Sequence, residues 1–190
     1  MRGQYLYSSE EEKNDENTSE GSDNERGEDA YAHEGELLMM RHSLNSQPSP
    51  QPESQRENIF HTRCKISENV CSLIIDSGSC CNCCSARMVD KLKLELLPHP
   101  KPYKLHWIND GGDINVKNQV KVKFFVGNYI DNVLCDVVPM EACHVLLRRP
   151  WQFDKQTIHD GLTNEINFTH NHKKFVLHPL TPTQVLEDQV

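Results

Sequence analysis

The most informative part of the sequence is Val70-Cys71-Ser72-Leu73-Ile74-Ile75-Asp76-Ser77-Gly78-Ser79. Its first six residues are mostly apolar, as expected of a buried strand, and an acidic residue, Asp76, follows them directly. A carboxylate in that place lies at the edge of a dry core, and Gly78 allows the backbone to turn tightly beneath it. The Ser77 hydroxyl can hydrogen-bond to a neighbouring loop and hold this geometry. The pattern therefore predicts a strand that ends in an acidic loop.

This loop suits acid–base chemistry if two copies of it come together. Two adjacent carboxylates cannot both ionise, so they share a proton and titrate as a pair. One carboxylate then acts as a general base on water, and the other acts as a general acid on the scissile amide. The tripeptide Asp76-Ser77-Gly78 is weak evidence alone, because such tripeptides usually mark turns. The order of the surrounding elements adds to it.

Most of the chain from Asn58 onward has strand patterns. A hairpin is predicted for Ile59–Ile66 and Val70–Ile75, with a turn over 67–69 between them. Further strands are predicted over residues 103–108, 114–116, 120–126, 133–138 and 144–147, and a last hairpin over 166–169 and 174–177. These patterns predict a small, mainly β domain.

One short helix is predicted, over residues 85–94. Its apolar residues Met88, Val89, Leu92 and Leu96 recur at helical spacing, and Ser85 can cap its start. Three prolines, Pro98, Pro100 and Pro102, are expected to end it.

The charge is distributed unevenly. Residues 1–60 hold five basic and fourteen acidic side chains, a net charge of −9, whereas the remaining residues hold 15 basic and 14 acidic ones. High charge with low hydrophobicity cannot offset the entropy lost on folding, so we expect residues 1–57 to form a disordered acidic linker. The overall net charge of −8 argues against direct nucleic-acid binding.

Two further classes are excluded by the pattern of apolar residues. No segment approaches the ~20 apolar residues that cross a bilayer, so we expect no membrane partner. The start, Met1–Tyr5, lacks the apolar core of a signal peptide, which predicts a cytoplasmic or nuclear protein. The eight cysteines are then expected to stay reduced.

The chain resembles the protease segment of gypsy-type LTR retrotransposon gag-pol polyproteins, particularly those of plants. The resemblance covers roughly residues 53–185 and keeps the order of the matching stretches. They are Arg56–Cys64, Ile74–Cys80, Val133–Met140, Arg149–Asp154 and Pro179–Pro182. It implies a retropepsin-like aspartic protease: a small closed β barrel that dimerises, each subunit giving one Asp to a shared site. The implied substrate is a polypeptide, the polyprotein itself, and no cofactor or metal is implied.

The resemblance also assigns roles to individual residues. Asp76 is the implied catalytic aspartate, and Ser77, Gly78 and Ser79 complete the active-site loop. The implied flap over the substrate consists of Trp107, Ile108, Asn109, Asp110, Gly111 and Gly112. By the same resemblance, residues 58–155 are the protease domain, and 156–190 are a β-hairpin extension towards a reverse transcriptase that this chain lacks.

One departure from the family pattern bears on activity. The family has glycine where this chain has Arg148, at a place packed closely behind the active-site loop. A long charged side chain there is expected to clash with the loop or force it apart. Arg149 matches the family arginine that helps to brace the core. The alternative prediction is therefore an inactive protease-like relic or a dimerising interaction module.

A second departure is the run Cys80-Cys81-Asn82-Cys83-Cys84. Its two overlapping Cys-x-x-Cys pairs suggest zinc, which leaves a cysteine-rich zinc-binding module as a further alternative. The second half-site is missing, because Cys135, Cys143 and His144 would have to be recruited by folding. Small buried thiols are the simpler interpretation.

Three other residues are predicted to be structural. Asp136 lies within a strand, where pairing with a basic residue is more plausible than catalysis. Trp107 and Trp151 are predicted to be packing residues, although Trp107 can also touch substrate from the flap.

Overall fold

The computed structural model describes residues 27–38, 55–106 and 113–189. This part of the chain contains eleven strands, three short α-helices and one 3₁₀ turn, Gln55–Glu57. The strands are β1 (Glu28–Ala30), β2 (Phe60–Ile66), β3 (Asn69–Ile75), β4 (Cys83–Ser85), β5 (Leu97–His106), β6 (Asp113–Val126), β7 (Tyr129–Val138), β8 (Val145–Leu147), β9 (Ile158–His159), β10 (Ile166–His170) and β11 (Lys173–Leu177). The helices are α1 (Ala86–Leu92), α2 (Arg149–Lys155) and α3 (Pro182–Gln189). The mainly β fold class is confirmed.

Seven strands form one sheet that closes on itself. Their order is β2-β3-β8-β4-β7-β6-β5, and β2 also pairs with β6 where Lys65 lies opposite Phe125. Six strands thus form a ring, and β5 lies outside it as a partner of β6. The predicted closed barrel is present.

Alternating side chains explain why these segments pair with one face buried. On β2, Phe60, Thr62, Cys64 and Ile66 are buried, and the residues between them are only partly buried. The long strand β6 shows the same period of two over its second half, where buried apolar residues alternate with lysines. The predicted hairpins of β2 with β3 and of β10 with β11 are both confirmed.

The helices differ from the prediction in number and in length. The predicted helix α1 ends at Leu92, because Lys93 adopts the left-handed conformation with a φ of 50°. Ser85 is its N-cap residue, but the hydroxyl makes no capping hydrogen bond. Helices α2 and α3 were not predicted. The first is only seven residues long and buries one side chain, Trp151, so it carries little periodic signal.

The prolines that were expected only to stop α1 lie within a strand. Strand β5 begins at Leu97 and includes Pro98, Pro100 and Pro102, whereas the prediction began at Tyr103. An outer strand tolerates proline because one of its edges needs no backbone donors. The pairing register with β6 shifts between Pro98 and Tyr103, as an irregular proline-rich strand requires.

A second sheet, in the order β1-β11-β10-β9, packs beside the barrel. Strand β1 pairs in parallel with β11, and Ala30 is buried in the core. The prediction of disorder over 1–57 therefore does not hold for residues 28–30, because a strand edge was available to satisfy their backbone groups. The rest of that prediction falls largely on residues 1–26 and 39–54, which lie outside the described residues.

The two sheets share one core. Tyr129 and Trp151 lie on the barrel side and pack against Phe168 and Phe175 of the second sheet, with ring centroids 4.8 to 5.4 Å apart for the pairs Tyr129–Phe168, Tyr129–Phe175 and Trp151–Phe168. Trp151 is a packing residue, as predicted, whereas Trp107 lies outside the described residues. The segment after residue 155 is thus packed onto the barrel.

Among the described helices, none has the length and apolarity needed to cross a membrane.

Candidate functional site

The predicted active-site loop, Asp76 to Ser79 together with the following Cys80, begins where β3 leaves its parallel partner β8. Ile74 and Ile75 pair with Leu146 and Leu147, and the next backbone N–H, that of Asp76, donates to the Leu147 carbonyl at 2.9 Å. The backbone of Asp76 is therefore fixed by the sheet itself.

The Asp76 carboxylate is half-buried and held within its own loop. One of its oxygens, Oδ1, accepts a hydrogen bond of 3.0 Å from the Gly78 N–H. A Cβ at position 78 would lie 3.2 and 3.3 Å from the two carboxylate oxygens. Glycine is thus favoured here because the backbone approaches the carboxylate closely. The backbone conformation does not itself require glycine, because the φ of Gly78 is not in the left-handed region.

The two serines of the loop differ. Ser77 is exposed, and its expected hydrogen bond to a neighbouring loop is not found among the described residues. Ser79 is half-buried, and its carbonyl accepts a hydrogen bond of 3.3 Å from the Arg149 N–H. The loop is therefore closed mainly by backbone bonds.

The expected separation of the loop by Arg148 does not occur. The segment 147–149 is joined to the loop and to Asn82 at three points with Arg148 in place. They are Asp76 N to Leu147 O, Arg149 N to Ser79 O, and Arg148 N to Asn82 Oδ1 at 2.8 Å. The backbone of Arg148 is extended, with a φ of −122°, so this position does not demand glycine for its conformation.

The two arginine side chains take different places. Arg148 is half-buried, and its Nε is enclosed without a hydrogen-bond partner among the described residues. The hydrogen bond with Cys81 raises the pKa of the Cys83 thiol and burial raises the pKa of the Cys143 thiol, and the positive charge of Arg148 opposes both shifts. Arg149 is exposed. The predicted bracing by Arg149 is therefore provided by its backbone N–H, because its side chain points out from the start of α2.

The predicted flap residues, Trp107 to Gly112, lie outside the described residues. The strands on either side of them are paired, since Leu105 lies opposite Ile114 and His106 opposite Asp113. A small apolar cluster separate from the main core lies beneath these strands. It contains Ile74, Cys83, Val116, Val138, Met140, Cys143 and Leu146.

The five-residue cysteine run does not converge on a metal. Cys80 is exposed, Cys81 is half-buried, and Cys83 and Cys84 are buried in different apolar clusters. Successive residues of a strand point to opposite faces, so β4 separates the two Cys-x-x-Cys pairs. Among the described residues, no group of three or more His, Cys, Asp or Glu side chains can hold a metal ion. The zinc-binding alternative has no support there.

Asp136 is buried on β7, and its partners are mostly neutral. Its carboxylate accepts hydrogen bonds from the Tyr103 hydroxyl at 2.7 Å and from the Gln119 amide at 2.8 Å. A basic partner was predicted without being identified. The structure places His99 there, with its Nε2 3.5 Å from Oδ1. Sequence reasoning missed Tyr103, Gln119 and Asn82, because their roles depend on contacts between distant strands.

No protein-family model and no curated protein matches the chain. Solved retroviral protease-like domains do match it. The retroviral protease-like domain of Ddi1 from Leishmania major is 12% identical, with a TM-score of 0.45 over 63% of this chain and 94% of that one. EIAV protease, complexed with the inhibitor HBY-793, is 17% identical, with a TM-score of 0.36 over 52% of this chain and 88% of that one. The likeness concerns the fold alone, and its extent is limited.

Proposed function

We propose that this chain is a retropepsin-like aspartic endopeptidase that acts as a homodimer. The observation that carries the proposal is the Asp76 carboxylate, partly accessible at the end of β3 and held by a loop whose backbone is bonded to Leu147 and Arg149. A fixed acidic group beside an apolar cluster is what carboxylate-pair catalysis needs.

The mechanism requires two copies of the loop. The chain contains a single Asp-Ser-Gly sequence, at Asp76, so the second carboxylate comes from a second chain. The two carboxylates share one proton, because both cannot ionise when they are adjacent. The ionised one removes a proton from water as the water attacks the scissile carbonyl, and the protonated one donates to the departing amide nitrogen.

Three exposed apolar side chains that lie within ten residues of the sequence support the homodimer. Phe153 on α2, Ile158 on β9 and Leu162 in the following turn have exposed fractions of 76%, 71% and 88%. Strand β9 is the edge of its sheet, so its outer backbone groups face outward. We name Phe153, Ile158 and Leu162 the edge patch, and we propose that a second copy of the chain covers it.

The proposed origin is a gypsy-type retrotransposon gag-pol polyprotein, which is also the proposed substrate. The support is the ordered set of matching stretches between Arg56 and Pro182, which includes the loop at Asp76. We further propose a cytoplasmic or nuclear location, consistent with the eight free cysteines.

The test is cleavage of a mixed peptide library at about pH 5, where a carboxylate pair with one shared proton is competent. Wild-type protein and Asp76→Asn are compared after both have been shown to fold. Cleavage by the wild type alone is expected. Cleavage that persists in Asp76→Asn and is blocked by pepstatin would refute the assignment of Asp76.

A second candidate function is an inactive protease-like module, and Arg148 is the observation that favours it. Arg148 is partly buried, its backbone N–H is bonded to Asn82, and the Nε of its guanidinium is unpartnered among the described residues. Arg148→Gly removes this side chain, with Arg149→Gly as the matched control on the exposed neighbour. If only Arg148→Gly gains cleavage, the wild type is a silenced protease; if neither variant nor the wild type cleaves, the module is inactive for other reasons.

A further inference from the structure

A cavity of about 430 Å³ opens next to the active-site loop, and the proposed proteolysis does not use it. Cys80, the last residue of the loop, lines one side. The remaining lining includes a thiol, an imidazole, a phenol and a carboxylate, from Cys81, His99, Tyr103 and Asp136. Four side chains of different chemistry thus face one accessible space.

Within this lining, the Cys83 thiol and the Tyr103 hydroxyl can each donate a hydrogen bond to the Cys81 sulfur, and the Cys83 thiol can instead donate to the Cys81 carbonyl oxygen, 3.7 Å from its Sγ. The Cys81 Sγ lies 3.8 Å from the Cys83 Sγ and 3.2 Å from the Tyr103 hydroxyl oxygen. We name Cys81, Cys83, Tyr103 and Asp136 the Cys81 cluster. Cys83 is buried, whereas Cys81 is only half-buried, so Cys81 is the thiol of this pair that meets the cavity.

Tyr103 connects the thiol to the buried carboxylate. Its hydroxyl lies 2.7 Å from Asp136 Oδ2, yet it has only one hydrogen to donate. When that hydrogen turns to Cys81, Asp136 keeps the amide of Gln119 at 2.8 Å and the imidazole of His99 at 3.5 Å. The hydroxyl can therefore stabilise a negative sulfur while the carboxylate keeps two partners, with the Tyr103 oxygen moving back from Oδ2, since two oxygens do not stay 2.7 Å apart without a hydrogen between them.

These contacts determine which thiol ionises. The hydrogen bond from Cys83 is the main cause that lowers the pKa of Cys81 to about 6, with smaller help from Tyr103 and Ser79. Burial and the charge of Asp136 oppose that shift. The pKa of Cys83 is raised, mainly because its proton is held between the two sulfurs. Of the two thiols, Cys81 is thus the one that loses its proton more readily.

We propose that Cys81 is a modification site that reacts with soft electrophiles, hydroperoxides in particular. The thiolate sulfur attacks one oxygen of the hydroperoxide, so that an S–O bond forms and the O–O bond breaks. The sulfur loses two electrons and becomes a sulfenic acid after protonation. The second oxygen takes the electron pair and a proton and leaves as water or an alcohol.

The structure separates Cys81 from the other seven cysteines. Six of them are buried, and Cys80 is more exposed than Cys81. Accessibility alone would therefore make Cys80 the first thiol to react. The Cys81 cluster predicts the reverse order at low pH, because reaction follows the thiolate fraction.

The test measures alkylation of the reduced, folded full chain by iodoacetamide, with each cysteine followed by mass spectrometry. At pH 6 the folded chain should label Cys81 about tenfold faster than the urea-unfolded chain does, since an ordinary thiol is then hardly ionised and its greater intrinsic nucleophilicity offsets only part of the difference. At pH 8.5 this advantage should disappear. Faster labelling of Cys80 than of Cys81 at pH 6 would overturn the proposal.

Two variants and a second reagent sharpen the test. Tyr103→Phe removes one donor and should slow labelling of Cys81 at pH 6 about fivefold, whereas Lys104→Ala, on the exposed neighbour, should not. Hydrogen peroxide followed by dimedone should mark Cys81 and give no adduct there in Cys81→Ser. An unchanged rate in folded Tyr103→Phe, or no dimedone adduct on wild-type Cys81, contradicts the proposal. Neither readout depends on proteolysis by Asp76.

Discussion

The predicted active-site loop and the Cys81 cluster adjoin each other, but different bonds hold them. The loop is fixed by backbone bonds, from Asp76 to Leu147 and from Arg149 to Ser79. The cluster is held by side-chain bonds to the buried carboxylate of Asp136 on β7, which accepts from its fellow member Tyr103 on β5 and from the neighbouring Gln119 on β6. The backbone bonds of the loop are therefore compatible with an arginine at position 148. The geometry of the cluster, in contrast, depends on each of its side chains.

The largest expected effect on stability comes from removing the Asp136 carboxylate, the central acceptor of the cluster. Asp136→Ala leaves the Tyr103 hydroxyl and the Gln119 amide without their acceptor inside the protein. We expect a loss of about 3 kcal/mol in the free energy of unfolding, measured by urea denaturation. Ser77→Ala, in the exposed part of the loop, is the control and should change it by less than about 0.5 kcal/mol. Equal effects of the two variants would erase the distinction.

Local sequence patterns account for the part of the fold that could be predicted. The strand that ends at Asp76, both hairpins and the alternation along β6 are local patterns, and each was found where predicted. The strand end at Asp76 could therefore be predicted, whereas the backbone bonds of the loop, which join Asp76 to Leu147 and Ser79 to Arg149 about 70 positions later, could not.

The Cys81 cluster could not be predicted, because its members are separated by up to 55 positions along the chain. Tyr103 and Asp136 meet only because β5, β6 and β7 are neighbours in the sheet. Strand β1 was missed for a similar reason. A short acidic segment around Ala30 is ordered by the edge of β11, about 145 residues later, and nothing in its own composition shows this.

A pH effect on stability is expected on the loop side. His144 is buried next to β3, and its Nδ1 lies 3.0 Å from the Ser72 N–H and 2.7 Å from its hydroxyl. Burial is the main cause that lowers the pKa of His144 to about 4, from an ordinary 6.5. The unfolded chain therefore binds the proton first, and stability is lost as the pH falls from 6.5 towards 4.

The size of that effect matters for the proposed protease. About 2 kcal/mol of unfolding free energy should be lost between pH 7 and pH 5 at this one site, which is the range where a carboxylate pair becomes competent. Urea denaturation at both pH values measures it. His144→Gln should show a smaller difference between the two pH values than the wild type, although it is less stable at pH 7. An unchanged difference would assign the effect to another group.

A smaller effect is expected from crowding the Asp76 carboxylate. In Gly78→Ala the new Cβ lies about 3.2 Å from Oδ2, so the carboxylate must shift by a few tenths of an ångström. We expect cleavage to fall by about tenfold, because misplaced reacting groups lose rate steeply, while the Cys81 alkylation rate stays the same. Gly161→Ala is the matched control, since a Cβ there meets nothing within 4 Å. Equal activity of the two variants would show that the carboxylate needs no such room.

The smallest expected effect tests whether the proposed active site needs a second chain while the Cys81 cluster does not. The Cys81 cluster is complete within one chain, whereas the proposed active site requires a second Asp76. Ile158→Asp places a charge in the edge patch and should weaken dimerisation by about tenfold, with Leu96→Asp, 47% exposed elsewhere, as the control. Cleavage by Ile158→Asp should then fall steeply on dilution, while alkylation of Cys81 stays independent of protein concentration. If dilution changes the cleavage rate and the alkylation rate together, the Cys81 cluster also depends on the dimer. If dilution changes neither rate, the edge patch is not where the second chain binds.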